Sequence, residues 1–482
     1  MNFLTDLYKH QIKAVEKLSR IKVSALYMEM GTGKTRTALE LIDKRIKKGR
    51  VNHVLWLCPC SVKENLRKDI IKHTGEEHKD LITICGIETL SSSIKSNRQM
   101  LDLVQNKQCY LIVDESNLVK NFRAKRTKNI IRLAEHCKYK LILNGTPISR
   151  NEEDLFSQWY ILDWRILGYQ SFWSFAANHL EYDPNIPGRV VECLNTDYLV
   201  KKIAPYSYQV KKSECLDLPP KTYDTYYFYL SDEQEEEYER VKDLFLACVD
   251  EFEPNTLYRL FTALQLVLSG KKIVSNIRES IKSKNIFNST EDNPRIEILQ
   301  TIISEISEKV IIFCKYTQEI KDIVDLLNNQ YGEGTAIPFH GELSLKKRQE
   351  NLNKFCTTSR FLIANKTCAG YGLNLQFCNY IIYYSNDWDY STRSQSEDRV
   401  HRIGQNKNVH IIDICASNKL DERILKCLWR KENLVDSFKK ELEHQKHKKD
   451  LELWISGKTY NGKKYRKPFK MENCNNLKEE TS

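Results

Sequence analysis

Four short boxes in this chain carry side chains that together could hold a phosphoanhydride and cut it. The first is Gly31-Thr32-Gly33-Lys34-Thr35. At a strand-to-helix turn, Gly31, Thr32 and Gly33 turn their backbone N–H groups onto phosphate, Lys34 reaches the terminal phosphates, and the Thr35 hydroxyl can take a magnesium ion. The general pattern has Gly where Met28 stands, a departure that leaves the phosphate-facing residues intact. The second box, Asp114-Glu115-Ser116-Asn117, follows the apolar run Tyr110-Leu111-Ile112-Val113 directly. Two carboxylates at the carboxyl edge of a sheet can divide the work: Asp114 holds magnesium, usually through water, and Glu115 orients and deprotonates the attacking water. The third box is Asn144-Gly145-Thr146-Pro147, after Lys140-Leu141-Ile142-Leu143. The fourth, Gln395 to Gln405, sets Arg399 and Arg402 three residues apart. On a helix that spacing puts both on one face. Aimed at a phosphate site they have the logic of arginine fingers, worth roughly 10³ to 10⁵ in rate.

These groups need a scaffold that brings strand ends together. Ser24-Ala25-Leu26-Tyr27-Met28 reads as a buried strand running into the glycine loop, and residues 35–44 carry helical periodicity. Residues 54–58, 110–113 and 140–143 are further apolar strands, separated by helical stretches. That alternation predicts a parallel sheet covered on both faces. It repeats at 309–313, 360–364, 380–384 and 409–414. The expected fold class is therefore α/β, with two parallel-sheet lobes.

The bulk numbers agree. A chain of 482 residues exceeds one ordinary core at roughly 150 residues per domain. The predicted division is lobe one over 1–230, a helical insertion and linker over 231–290, lobe two over 291–438 and a basic tail over 439–482. Leu218-Pro219-Pro220 signals a turn, and Ser231-Asp232-Glu233-Gln234 has the form of a capping box. The tail interleaves Lys446, Lys448, Lys449, Lys463, Lys464, Arg466 and Lys467 with Trp454, Tyr460, Tyr465 and Phe469; it reads either as a phosphate grip or as a solvated end. A net charge of +11 favours an anionic partner. No signal-peptide pattern and no run of about 18 apolar residues is present, which predicts a cytoplasmic protein with no membrane partner. The 15 cysteines are scattered without a C-x-x-C pair, so reduced core cysteines and no structural zinc are expected.

The boxes in this order resemble the Swi/Snf-type ATPases of helicase superfamily 2. Met28 to Thr35 looks like that family's first box, and Asp114 to Asn117 with Lys120-Asn121 looks like its acidic box. Leu218-Pro219-Pro220-Lys221, followed by Gln234 and Tyr238, resembles its passage into the helical insertion. His340-Gly341, Arg348, Gly370 to Leu375, Asp387-Trp388 and the box ending Arg402-Ile403-Gly404-Gln405 complete the series. The resemblance implies two RecA-like lobes with ATP and Mg²⁺ in the cleft between them. It assigns Tyr8 and Gln11 to the adenine, Thr146 and Pro147 to the coupling of hydrolysis with lobe movement, and Gly372 and Asn374 to nucleotide or nucleic-acid backbone. Arg399 and Arg402 match the finger arginines. Asn117 stands where histidine is usual and Asn144 where threonine is common, which bears on coupling to nucleic acid.

The function this implies is an ATP-dependent DNA translocase or helicase acting on double-stranded DNA with weak sequence preference, alone or as the motor of a larger complex. An RNA or single-strand helicase of the same superfamily is the alternative within the fold. A non-hydrolysing nucleic-acid-binding scaffold is the alternative outside enzymes, and it would expect loss of Lys34, Asp114, Glu115 or Arg402.

Overall fold

The structure, a computed structural model, describes residues 1–145, 152–182, 190–246, 254–275, 281–366, 373–430 and 434. Thr146, Pro147, Gly372 and the expected basic tail lie outside the described residues. The chain divides into two compact units, one over Met1–Asp217 and the other from Leu218 onward.

In the first unit, β1 (Val23–Met28), β2 (His53–Cys58), β3 (Ile82–Gly86), β4 (Cys109–Val113) and β5 (Tyr139–Asn144) are followed by a two-stranded ribbon of β6 (Leu180–Tyr182) and β7 (Val190–Cys193), and then by β8 (Ser207–Val210). The main sheet has the order β3-β2-β4-β5-β1-β8, and every pairing in it is parallel. Its strands are apolar throughout because both faces are covered. Along β2 the side chains alternate: Leu55 and Leu57 enter one core, Val54, Trp56 and Cys58 the other. The period of two sends successive residues to opposite faces. Most described cysteines, Cys58, Cys85 and Cys109 among them, pack as small core hydrophobes.

The second unit starts with β9 (Lys221–Phe228). After a ribbon of β10 (Lys271–Ile273) and β11 (Ser283–Asn285) come β12 (Val310–Cys314), β13 (Ala336–Phe339), β14 (Phe361–Asn365), β15 (Tyr380–Tyr383) and β16 (Val409–Ala416). The order is β13-β14-β12-β15-β16-β9, again all parallel.

Two expectations about organisation change. Residues up to 230 were expected in lobe one, yet β9 pairs with β16 over its whole length, from Lys221 opposite Val409 to Phe228 opposite Ala416. A strand belongs to the sheet whose ladder it completes. The helices Asp232–Leu246 and Pro254–Leu268, expected as a separate insertion, share a core with the second sheet. Tyr238, Val241, Phe261 and Leu264 pack there with Ile312, Ile363 and Ile382. The capping box at Ser231 forms: the Gln234 N–H donates to Ser231 Oγ and the Ser231 N–H to Gln234 Oε1, both at 3.3 Å.

Candidate functional site

The first unit gathers its reactive residues at the carboxyl ends of β1 and β4. Strand β1 ends at Met28 and the helix Lys34–Lys47 begins six residues later. Gly31 and Gly33 both take the left-handed conformation, with φ of 81° and 88°. Gly33 is needed for a second reason: a Cβ there would stand 2.1 Å from Gln11 Nε2. Gln11 is buried against the loop and donates to the Thr32 carbonyl at 3.1 Å, while its Oε1 accepts the Tyr8 N–H at 3.0 Å. His10 Nε2 donates to the same Thr32 carbonyl at 2.8 Å. Tyr8 stacks on His10 and is half exposed, its ring 5.9 Å away. The segment that the family resemblance assigned to adenine is thus hydrogen-bonded to the Gly31–Gly33 loop. His10 is a loop support that sequence reasoning passed over; its place beside Gln11 was the available signal.

Within the loop, Thr32 Oγ1 donates to the Glu29 carbonyl at 2.7 Å, and Glu29 Oε2 accepts the Lys212 N–H at 2.7 Å. Lys34 curls back so that Nζ donates to the Met28 carbonyl at 2.9 Å. Its ammonium therefore stands over the loop at the helix N-terminus, where N–H groups and the helix dipole favour an anion.

Asp114 and Glu115 leave the end of β4, next to β2 and β5 and within the sheet that carries the loop. The Asp114 N–H donates to the Leu57 carbonyl at 2.8 Å, so the acidic residue is fixed as an extension of the ladder. Glu115 takes φ of 49°, an uncommon conformation for a non-glycine residue. Its N–H donates to Asp114 Oδ1 at 2.9 Å. Burial first, then the adjacent Glu115 charge, push the Asp114 carboxyl up to about 7, while Lys34 pulls the other way. A carboxyl held that high near a second carboxyl and a lysine fits a divalent cation that would neutralise it. Behind the pair, Ser116 Oγ donates to Gln158 Oε1 at 2.5 Å, and Lys120 stands 3.3 Å from Asp154. Among the described residues, none offers a hydrogen-bond partner to the buried Asn117 Oδ1. Asn144 Oδ1 accepts the Gly145 N–H at 2.8 Å, tightening the turn after β5.

The second unit brings its own predicted residues together. The Arg402 guanidinium donates to Asn374 Oδ1, and the Leu375 N–H donates to the Arg399 carbonyl at 3.1 Å. One expectation is corrected: Arg399 and Arg402 do not share a helix face. The helix Tyr390–Glu397 ends before them, and they lie in consecutive turns. Leu375 claims a carbonyl that a continuing helix would use, and Gly404 adopts φ of 96°, so the chain unwinds and turns back.

Among the described residues no group of three or more His, Cys, Asp or Glu side chains is placed to hold a metal alone, and no helix is long and apolar enough to cross a membrane.

Comparison with known proteins gives these sites a family. The chain is 26% identical over 480 residues to an uncharacterized ATP-dependent helicase of Mycoplasma genitalium, covering 92% of this chain and 44% of that protein. It is 25% identical over 453 residues to an uncharacterized ATP-dependent helicase of Bacillus subtilis, covering 89% of this chain and 78% of the relative. The chain thus spans under half the length of the Mycoplasma proteins it matches. A Sulfolobus solfataricus SWI2/SNF2 ATPase core in complex with dsDNA aligns over 89% of this chain and 92% of that chain, at 23% identity and a TM-score of 0.39, a likeness too loose to carry weight. Residues 75–291 match the SNF2-related domain and residues 294–404 the helicase conserved C-terminal domain. With both domains in order along two parallel-sheet α/β units, the chain belongs to the Swi/Snf-type ATPases of helicase superfamily 2.

Proposed function

We propose that this chain is an ATP-dependent DNA translocase that hydrolyses ATP at the loop of its first unit and uses the cycle to move along duplex DNA. The observation that carries this reading is the placing of Lys34 and the Asp114-Glu115 pair at strand ends of one sheet. Tyr8 and Gln11 hold the adenine side; Gly31, Thr32, Gly33, Lys34 and Thr35 hold the phosphates, with Gly372 and Asn374 meeting nucleotide or nucleic-acid backbone. Thr35 and Asp114 would hold Mg²⁺, which supplies charge neutralisation to the phosphate oxygens. Glu115 orients the water and takes its proton. Arg399 and Arg402 meet the charge that develops on the transferring phosphate.

Duplex DNA is favoured over RNA by the Arg402-Ile403-Gly404-Gln405 ending and the Leu218-Pro219-Pro220-Lys221 passage, and the net charge of +11 suits a phosphate backbone. Such contacts carry no base sequence and weaken with salt. Presence of Lys34, Asp114, Glu115 and Arg402 speaks against a non-hydrolysing scaffold.

The test is ATP hydrolysis by the purified chain at low salt with no nucleic acid, duplex DNA, single-stranded DNA or RNA. Strong stimulation by duplex DNA that disappears in Lys34→Ala supports the reading. Stimulation by RNA or single strands alone moves it to the alternative helicase, and hydrolysis unaffected by Lys34→Ala removes it. Glu115→Gln should keep nucleotide binding and stop turnover; loss of binding would make the pair structural.

A further inference from the structure

The segment with which the chain enters its second unit is bonded to the arginine box. His401 Nε2 donates to the Pro219 carbonyl at 2.8 Å, and the Val409 N–H donates to the Pro220 carbonyl at 3.1 Å. Lys221 Nζ lies 3.0 Å from Glu397 Oε2, and the Tyr223 hydroxyl donates to that same oxygen at 2.9 Å. The other Glu397 oxygen accepts Arg393 Nε at 2.9 Å. Arg393 in turn forks onto Asp413, Nη1 to Oδ1 at 2.6 Å and Nη2 to Oδ2 at 2.9 Å. Lys221 and Asp413 sit on β9 and β16, whose parallel register fixes them. Glu397 is only 6% exposed and is the last residue of its helix, two before Arg399.

Nothing in the proposed chemistry uses these groups, yet burying them is costly. Replacing a buried ion-pair cluster with apolar residues is often neutral or stabilising, so stability alone does not account for this one. What a cluster of this kind supplies is direction. A carboxylate held by two cations and a phenol from three sides has one position, whereas an apolar side chain can settle in several. Direction matters here because Arg399 and Arg402 lie in turns, outside a regular hydrogen-bond ladder.

We propose that Lys221 and Tyr223 are positioning residues for the arginine box: acting through Glu397, they fix the point from which the turn carrying Arg399 and Arg402 departs. This rests on the reading of those arginines given above. The chain's entry strand, and not only the box itself, then sets how well the arginines meet phosphate.

The experiment measures kcat and KM for ATP in Lys221→Met, Lys221→Arg and Tyr223→Phe, each made in the wild-type chain and in the Arg402→Ala chain, with thermal unfolding of every variant. Lys221→Met should lower kcat roughly ten- to a hundredfold, the scale of a small misplacement, with KM nearly unchanged. Lys221→Arg should restore most of the rate. Tyr223→Phe removes one hydroxyl from a residue that keeps its packing, so it stays folded and should show a smaller loss of the same kind. In the Arg402→Ala chain Lys221→Met and Tyr223→Phe should each cost clearly less than in the wild-type chain, because only Arg399 is left to be misplaced and residues that act through one another are not additive. Equal losses in both backgrounds, a raised KM with kcat kept, or no loss at all would overturn the proposal. If Arg402→Ala is crippled while Lys221→Met is not, positioning alone fails. If Arg402→Ala runs at full rate, the role of the arginines fails and the positioning with it.

Discussion

The two units place their reactive groups by different means. In the first, the groups proposed for phosphate, magnesium and water follow directly on strand ends: Gly31 to Thr35 after β1, Asp114 and Glu115 after β4. In the second, the arginines stand in turns: Arg402 donates to Asn374, and Glu397, two residues before Arg399, is held by Lys221 and by Arg393, which also pairs with Asp413. A phosphate cradle needs donors at fixed spacing, which one glycine turn on a rigid strand provides. A charge meant to meet a transition state needs a long side chain aimed from afar, and that takes a supporting network.

The sharpest test of this contrast is Lys34→Ala. Turnover should fall by about 10³-fold or more, while the unfolding free energy stays within about 0.5 kcal/mol, since among the described residues Lys34 makes one hydrogen bond, to the Met28 carbonyl. Hydrolysis assays and urea melts on one preparation would check both, and a large stability loss would break the contrast. Next, Arg402→Ala should reduce kcat about 10³-fold with nucleotide affinity nearly whole, as stopped-flow binding beside steady-state rates would reveal. Arg393→Ala acts through the network instead: it leaves Asp413 and Glu397 buried with a cation removed, and should cost about 3 kcal/mol in urea unfolding of the second unit.

A smaller effect concerns pH. Burial and Glu115 raise the Asp114 carboxyl to about 7, so the folded chain favours its protonated form more than the unfolded chain does. Without a divalent cation the charging of Asp114 therefore opposes folding increasingly as pH rises from about 4 to about 7. By the same proton competition, magnesium affinity should weaken about tenfold per pH unit below about 7, and calorimetric titration on either side of neutrality would measure it. Asp114→Asn should flatten that dependence. The smallest effect belongs to Asn117→Ala, whose buried Oδ1 has no hydrogen-bond partner among the described residues; its stability should stay within about 0.5 kcal/mol.

Legibility follows the same division. Strands β1, β2, β4, β5, β12, β14, β15 and β16 could be read because full burial on both faces leaves an apolar run in the sequence. Strand β9 was not read: its side chains alternate between half-buried and exposed along Lys221–Phe228, so its composition resembles a polar connector. Strands β3, β8 and β13 are short, with mixed burial, and gave no clear run. The helix expected under both arginines failed for a related reason, because spacing of three reports a helix only where the backbone carbonyls remain free to continue one.

The amino-acid order alone determined the two-sheet α/β class, the glycine turn after β1 and the place of the acidic pair, because each is a local pattern: apolar runs, glycines before a lysine, carboxylates after a strand. Tertiary structure decided where the second unit starts, that the helical stretch shares its core, and how the arginine box is held. Those outcomes hang on a ladder between residues 221 and 409 and on ion pairs between side chains up to 176 residues apart. Contacts of that range obey no short spacing, since the energy that selects them appears only once both partners have left water together.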